Sequence, residues 1–468
     1  MKWTEDKRAI FSASIILLLA LLAFLVIPAM GIGEDRNILA SFLKSMNVKT
    51  AKWEINPFLA FTSSSTNDLG ITTTAIAWKT IFGFITGIAF LFVVFLLSHK
   101  DEADGKKSDF LKASLLVFCL AMVSYIFASQ SNLKDAGFGY PLWAIALGVF
   151  INNVWGLPSW AETGLKHELF IKTGLVLLGA EILFGKIVAI GIPGIFVAWV
   201  VTPIVLVVTF WFGQRILKIK SKSLNMTISA DMSVCGVSAA IATAAASKAT
   251  KEELTTAVGL SMVFTSIMMV AMPAFIKWVG MPEVLGGAWL GGTLDATGAV
   301  VAAGAFLGEK AMSVAATIKM IQNILIGVIA FGVAYYWSTR VEANTNPDQK
   351  NKANFSEIWL RLPKFILGFV AASVVFSILH AGIGSENAKN LLEDGVLKYT
   401  GHMREFLFCL AFVSIGLSTN FKVLKQQFSG GKPLILYVVG QSFNLILTLL
   451  MAWLMFYKLF PEITAGIQ

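Results

Sequence analysis

Two short apolar segments decide how this chain folds. They read Ile228-Ser-Ala-Asp-Met-Ser-Val-Cys-Gly-Val-Ser-Ala-Ala-Ile-Ala-Thr243 and Gly291-Gly-Thr-Leu-Asp-Ala-Thr-Gly-Ala-Val-Val-Ala-Ala-Gly304. Each carries a carboxylate, Asp231 or Asp295, with glycine and small hydroxylated residues where an ordinary membrane helix has leucine and phenylalanine. A charge in hydrocarbon costs at least about 2.5–3.5 kcal/mol, so such segments persist only when buried in protein or lining a polar cavity. Both are predicted to be discontinuous helices of the kind that form transporter binding sites.

The composition of the whole chain predicts a membrane protein. Of its 468 residues 56% are hydrophobic and 14% are charged, whereas a soluble domain has about 25% charged residues. The net charge of +9 is expected to reflect basic loops at one membrane face. No basic run interleaved with aromatic residues is present, so a nucleic-acid partner is not expected.

The sequence carries no motif for metal binding or hydrolysis. The three cysteines, Cys119, Cys235 and Cys409, lie in separate apolar segments without a CxxC or Cys/His cluster, which argues against a zinc site or a disulfide framework. Walker A, HExxH and GxSxG motifs in a credible context are also missing. We therefore expect neither an enzyme nor a cofactor.

Thirteen apolar stretches are candidate membrane spans, and most of them are near the roughly 20 residues that a span needs. Besides the two segments above, which are the seventh and ninth, they cover approximately residues 9–31, 78–97, 110–129, 140–156, 169–190, 194–215, 254–279, 311–337, 362–381, 404–420 and 433–460. We predict an all-α polytopic protein of about 13 transmembrane helices. Residues 1–109 would add two spans and an extracytoplasmic segment to a core of about eleven spans in residues 110–468.

The predicted topology rests on the distribution of basic residues and on a weak internal sequence repeat. Lysine and arginine concentrate in residues 100–112, 215–222, 340–364 and 422–432, which places the N-terminus in the cytoplasm and the C-terminus outside. Leu178-Gly179 followed by Phe184 resembles Ile415-Gly416 followed by Phe421. The first lies in the fifth span and the second in the twelfth, so the two segments would have opposite orientations, as an inverted repeat requires.

The buried carboxylates are the candidates for coupling transport to a cation. Asp231 and Asp295 are expected to bind the coupling cation or to exchange protons, and Glu181 in the fifth span is a third candidate. The alternative role is structural, because aspartate is a good N-cap and its charge interacts well with the helix dipole. For Asp295 the two roles are compatible.

The turn around Gly236 is a candidate anion site. Free N–H groups at the start of a half-helix attract anions, and the hydroxyls of Ser233 and Ser238 would add donors. Cys235 belongs to this turn as a small packing residue and not as a nucleophile. Close packing of small residues is the alternative explanation of the motif.

Lys319 is the candidate cation of the tenth span. It would balance an aspartate or neutralise an anionic substrate, together with Thr297 and Gly298 in the ninth span. Its alternative is to extend towards the membrane interface, but Gln322 and Asn323 on the same turn argue against that.

At these motifs the chain resembles the YeiH family, bacterial inner-membrane proteins labelled sulfate exporters. The matching stretches are Lys172-Thr-Gly-Leu-Val-Leu-Leu-Gly-Ala-Glu-Ile182, Ser233-Val-Cys-Gly-Val-Ser-Ala-Ala-Ile241, Thr293 to Gly304, and Lys319. The resemblance covers roughly residue 110 to the C-terminus. It implies a relative of the cation/proton antiporter and anion transporter superfamily, with two inverted repeats and crossed, broken helices. Two positions depart from the family pattern: Leu294-Asp295 stands for a His-Glu pair, and Gln322 for an arginine.

Together these features predict a secondary transporter of the bacterial inner membrane. Its substrate would be a small inorganic or sulfur-containing anion such as sulfate, its coupling ion a proton or sodium, and a homo-oligomer is compatible with the sequence. One alternative is a cation/proton antiporter that uses the same three carboxylates. Another is a membrane sensory module, which would require residues 32–77 to form a ligand-binding domain.

Overall fold

The computed structural model describes residues 4–29, 38–45, 52–66, 72–98, 107–131, 140–181, 184–341, 363–383, 388–420, 422 and 431–467. Within these ranges eight helices are long and apolar enough to cross a membrane: Glu5–Val26, Ile81–Ser98, Ser108–Ala128, Ile190–Arg215, Lys251–Trp278, Glu309–Val341, Phe365–Ile383 and Gly431–Leu459. Shorter apolar helices are Tyr140–Val154, Val237–Ala246 and Thr297–Leu307. The predicted all-α polytopic fold is confirmed. The count of 13 spans, the orientation of the termini and the inverted repeat stay predictions.

The chain divides into two compact units. Unit 1 combines Met1–Phe184 with Lys364–Asn420, and unit 2 combines Gly185–Pro363 with Phe421–Gln468. The division at residue 109 that the sequence suggested remains a prediction.

Within the described residues, unit 1 contains eight α-helices longer than one turn and one small sheet. The helices are α1 (Glu5–Leu21, continued by a π-turn at Leu22–Val26), α2 (Ile38–Ser45), α3 (Trp78–Ser98), α4 (Lys107–Ala128), α5 (Tyr140–Val154), α6 (His167–Glu181), α15 (Phe365–Ile383) and α16 (Lys398–Ser418). The strands β1 (Thr62–Thr66) and β2 (Thr72–Ile76) pair antiparallel within the stretch predicted to lie outside the membrane.

Glycine allows the helices of unit 1 to approach closely. A Cβ at Gly416 of α16 would lie 2.5 Å from the Ile145 carbonyl oxygen of α5, and one at Gly148 would lie 2.6 Å from the Leu417 nitrogen. Small residues at such positions are a common way for membrane helices to pack. At the end of α16 the Asn152 side chain donates to the Leu417 carbonyl at 2.7 Å, satisfying one carbonyl that a helix end leaves free.

Unit 2 contains the remaining α-helices. These are α7 (Phe184–Ile195), α8 (Val201–Arg215), α9 (Lys222–Ser233), α10 (Val237–Ala246), α11 (Lys251–Trp278), α12 (Glu283–Thr293), α13 (Thr297–Leu307), α14 (Glu309–Tyr336), α17 (Gly431–Trp453) and α18 (Pro461–Ile467). A π-turn at Phe196–Val200 joins α7 to α8.

Local sequence signals fix the start of two of these helices. Ser221 caps α9 and Thr250 caps α11, the latter in a capping box with Glu253. The Glu253 carboxylate also accepts hydrogen bonds from Ser221 and Ser223. The first turns of α9 and α11 are therefore tied together by one acidic side chain.

We predict that Gly416→Ala destabilises the protein. The added methyl group meets the α5 backbone, and overpacking typically costs about 1–3 kcal/mol, more than the gain of about 1 kcal/mol in helix propensity. Thermal unfolding of the purified protein should show a lower melting temperature. Gly382→Ala is the matched control, because no atom lies within 4 Å of its added Cβ. Equal melting temperatures for both variants would contradict this packing account.

Candidate functional site

The two motif segments are both broken helices, as the sequence predicted. The helix α9 ends at Ser233 and α10 begins at Val237, with Gly236 at φ +65° in the break. The helix α12 ends at Thr293 and α13 begins at Thr297. Glycine takes this positive φ without steric cost. Each break leaves carbonyl groups at the end of one half-helix and N–H groups at the start of the next without helical partners.

Lys319 of α14 binds to both breaks at once. Its Nζ donates to the Val234 carbonyl at 2.5 Å and to the Leu294 carbonyl at 2.7 Å, and it also donates to the Gln322 side chain at 2.7 Å. A cation is stabilised by the negative end of a helix dipole. A single ammonium group therefore neutralises the C-terminal ends of both α9 and α12.

Gln322, one turn further along α14, repeats this arrangement. Its Nε2 donates to the Ser233 carbonyl at 3.0 Å and to the Gly292 carbonyl at 3.3 Å, and to Thr202 Oγ1 at 2.9 Å. Two side chains of α14 thus hold one carbonyl each from both broken helices, so the breaks must lie side by side.

The helix α17 supplies the remaining donors. Gln441 donates to the Thr293 carbonyl at 3.0 Å, and Asn444 donates to the Met232 carbonyl at 3.4 Å. With Lys319 and Gln322, side chains satisfy six carbonyl groups around the two breaks. Because buried backbone acceptors are expensive to leave unpaired, this set of side chains is what permits both helices to be interrupted.

Asp295 is buried between α11 and α17. Its Oδ2 accepts hydrogen bonds from the Tyr437 hydroxyl and, at 3.2 Å, from the Ser261 hydroxyl. Tyr437 is itself fixed by stacking on Phe264, with ring centroids 4.6 Å apart. Asp295 Oδ1 has no hydrogen-bond partner in the described part of the chain. One oxygen of this carboxylate is therefore fixed by donors, and the other can accept from a ligand.

Asp231 is the less satisfied carboxylate. It is 0% exposed, and neither of its oxygens makes an acceptable hydrogen bond to any residue that the structure describes. Asp295 and Lys319 act on it electrostatically, and the Ser261 hydroxyl lies close to it. A buried charge is tolerated only when it is paired, solvated or neutralised, and such an unsatisfied group calls for a functional explanation.

Gly236 brings the first break against this carboxylate cluster. A Cβ at this position would lie 3.3 Å from Ser261 Oγ and 3.4 Å from Asp295 Cβ, while its N–H donates to the Asp231 carbonyl at 2.9 Å. Asp231, Asp295 and Lys319 are all at most 2% exposed. With all three ionised, the cluster carries a net charge of −1.

The remaining residues that were predicted to bind an anion do not share one environment. Ser233 is buried, and its hydroxyl donates to the Ser229 carbonyl of its own helix at 2.6 Å, whereas Ser238 is exposed. Cys235 is buried in an apolar cluster. The Thr297 hydroxyl accepts a hydrogen bond from Asn323 at 3.1 Å, and Gly298 is buried in the first turn of α13.

The first turns of α10 and α13 retain donor capacity. Their N-caps are Gly236 and Ala296, and neither makes a side-chain capping bond. The first N–H groups of a helix have no partner within it. These two half-helix starts are thus the donor-rich part of the cluster, and the carboxylates are its acceptor-rich part.

Glu181, the third predicted coupling carboxylate, belongs to unit 1. It is the last residue of α6, and its Oε1 accepts a hydrogen bond from Arg404 Nε of α16 at 3.0 Å. The structure thus gives Glu181 a specific basic partner, and its role in coupling stays a prediction.

Several site residues were missed by the sequence reasoning. They are Ser261 and Thr265 on α11 and Tyr437, Gln441 and Asn444 on α17. A usable signal existed, because 437, 441, 444 and 448 follow one helix face and carry polar side chains in an otherwise apolar span. Ser261 and Thr265 are likewise four residues apart.

Comparison with known proteins identifies relatives of this chain. The family described as conserved hypothetical protein 698 matches residues 112–437. A UPF0324 membrane protein of Nitratidesulfovibrio vulgaris is 63% identical over 359 residues, covering 76% of this chain and 61% of the relative. A UPF0324 membrane protein of Rhodopirellula baltica is 51% identical over 427 residues, covering 91% and 74%. The chain therefore spans 61% of the length of the first relative.

A more distant relative supports the resemblance inferred from the motifs. The UPF0324 inner membrane protein YeiH of Escherichia coli O6:H1 is 25% identical over 317 residues, covering 66% of this chain and 83% of that protein. The resemblance to the YeiH family is thereby confirmed. No solved structure matches the chain.

We predict that Lys319→Met destabilises the protein strongly. The change leaves the Val234 and Leu294 carbonyls unpaired, and each buried unsatisfied acceptor costs about 1–3 kcal/mol. The melting temperature and the yield of monodisperse protein should both fall. Lys310→Met is the matched control, because this lysine is exposed on the same helix. If Lys319→Met melts at the wild-type temperature, Lys319 does not hold the two breaks together.

Proposed function

The chain belongs to the UPF0324 family of membrane proteins, and we propose that it is a secondary active transporter whose coupling cation binds at Asp231 and Asp295. The observation that carries this proposal is the state of Asp231, a fully buried carboxylate with no hydrogen-bond donor among the described residues. Ionisable groups inside a membrane protein are costly and usually mark an ion pathway.

The hydrogen bonds that the carbonyls around the two breaks accept favour the carboxylates, and not the backbone, as cation ligands. In transporters with discontinuous helices, free carbonyls and half-helix C-terminal ends often coordinate the coupling ion. Here Lys319, Gln322, Gln441 and Asn444 occupy those carbonyls. Among the described residues of this cluster, the anionic oxygens left for a cation are therefore both oxygens of Asp231 and Oδ1 of Asp295.

The substrate that we propose is a small anion such as sulfate. The half-helix starts at Val237 and Thr297 lack side-chain caps, and such N-termini favour negative charge. An anion there would lie near the cation on the carboxylates, which would couple the two ions by attraction. Lys319 would contribute through its field, since its three hydrogen bonds are already directed at protein oxygens.

The second candidate is cation/proton exchange at the same carboxylates. The hydrogen bonds of Lys319 favour this alternative. An ammonium group that donates to carbonyls cannot also form a direct ion pair with an anion unless those hydrogen bonds break. In this alternative Asp231 and Asp295 alternate between two cations, and the half-helix starts serve only structure.

Charge movement in proteoliposomes on a supported membrane tests the proposal. Sulfate, sulfite, thiosulfate and taurine are applied under imposed pH and sodium gradients. We predict an anion-dependent current that Asp231→Asn and Asp295→Asn each reduce at least about 100-fold, since each removes a charge that the transport cycle needs. Glu252→Gln, an exposed carboxylate at the start of α11, should leave the current unchanged.

Two outcomes would change this assignment. Currents that follow pH or sodium jumps and ignore every anion would establish the exchange alternative. Anion-dependent currents that survive both aspartate substitutions would contradict the proposed role of the carboxylates.

A further inference from the structure

The carboxylate cluster contains more unsatisfied oxygens than a proton requires. Among the buried side-chain oxygens without a hydrogen-bond partner in the described ranges, four belong to this cluster: both of Asp231, Oδ1 of Asp295 and Oγ1 of Thr265. Thr265 is 8% exposed and lies beside Asp295. These oxygens come from the last turn of α9, from the break between α12 and α13 and from α11, so one proton on a carboxylate would still leave acceptor oxygens of the other carboxylate unoccupied.

The geometry points to a binding site for one dehydrated sodium ion. Asp231, Asp295 and Thr265 would supply the ligands, and Ser261 would complete the set from the same face of α11. Ser261 Oγ donates to Asp295 Oδ2 at 3.2 Å and keeps its lone pairs for a cation. This inference rests on the proposed function and names its coupling ion.

The charge of the cluster selects a monovalent ion. Two carboxylates and the Lys319 ammonium sum to −1, so one sodium ion makes the buried cluster neutral. A divalent ion would leave a net positive charge in a site that is almost wholly excluded from water, which is unfavourable. The ligand atoms are all hard oxygens, which suit such cations.

Tyr437 gives this site its asymmetry. Its hydroxyl and that of Ser261 both donate to Asp295 Oδ2. Neither oxygen of Asp231 makes a hydrogen bond of acceptable geometry within the described chain. One oxygen of Asp295 is therefore engaged by donors, and its Oδ1 and the Asp231 carboxylate would be left for the ion. Thr265 would act as a selectivity ligand, because a proton on a carboxylate does not need its hydroxyl.

Sodium-dependent thermal stability of the full-length purified protein tests this site. Melting temperatures are measured in NaCl, KCl and choline chloride at one ionic strength and pH. A ligand that binds only the folded state stabilises it, so NaCl should raise the melting temperature by about 3 °C when sodium exceeds its Kd about 100-fold. KCl should give less than half of that shift, and choline chloride none.

Three variants locate the effect. Asp231→Asn should abolish the sodium shift, and Thr265→Val should raise the half-saturating sodium concentration about tenfold, the effect of losing about one good ligand interaction. Thr265→Ser keeps a hydroxyl and should bind sodium nearly as well as the wild type. This comparison with Thr265→Val separates a ligand role of the hydroxyl from a packing role of the side chain. Ser266→Ala is the matched control, because that hydroxyl bonds the Met262 carbonyl of its own helix.

The outcomes separate this inference from the proposed function. Equal melting temperatures in NaCl and choline chloride, or a sodium shift that survives Asp231→Asn, would overturn the sodium site. In that case anion currents that are driven by a pH gradient and lost in Asp231→Asn would keep coupled transport standing, with a proton as its ion. A sodium shift without any transport would retain the site and overturn the transport function.

Discussion

Unit 2 depends on the tie that Lys319 and Gln322 form between two interrupted helices. Each of these neighbouring side chains of α14 donates to one carbonyl at the end of α9 and to one at the end of α12. Without them, the carbonyls at two helix ends would lie close together in a water-poor interior, where unpaired acceptors and neighbouring negative dipole ends are unfavourable. The tie is what allows unwound backbone and two carboxylates to exist at this place.

This tie also redistributes the polar groups of the site. Side chains donate hydrogen bonds to the carbonyls around the breaks. The polar groups that remain there are N–H groups at α10 and α13 and carboxylate oxygens at Asp231 and Asp295. Lys319 is then a structural cation first, and its charge would act on a bound ligand through its field. The arrangement separates a donor-rich zone from an acceptor-rich zone within a few residues of each other, which is a suitable basis for coupling an anion to a cation.

The broken helices and their carboxylates could be predicted because their composition conflicts with an ordinary membrane span. Asp231, Asp295, Gly236 and Lys319 are conspicuous in apolar surroundings, and the structure brings them into one cluster. Ser233 illustrates the limit, because a serine inside a helix can bond its own backbone and does so here. Sequence alone does not reveal which way such a hydroxyl turns.

The residues of α11 and α17 were not predictable in the same way. Thr265 and Tyr437 are ordinary residues in a span, and only tertiary packing brings them to Asp295. Glu181 shows the same limit, since its partner Arg404 lies 223 residues away in sequence.

If Asp231 and Asp295 form one cation site, a double-mutant comparison distinguishes that shared site from two independent ones. Transport rates are measured in proteoliposomes for conservative single variants Asp231→Glu and Asp295→Glu and for the double variant. Residues that act as a unit show strongly non-additive effects, so the double variant should lose little more than the more impaired single one. Losses that multiply would mean that the two carboxylates act independently and would contradict a shared site.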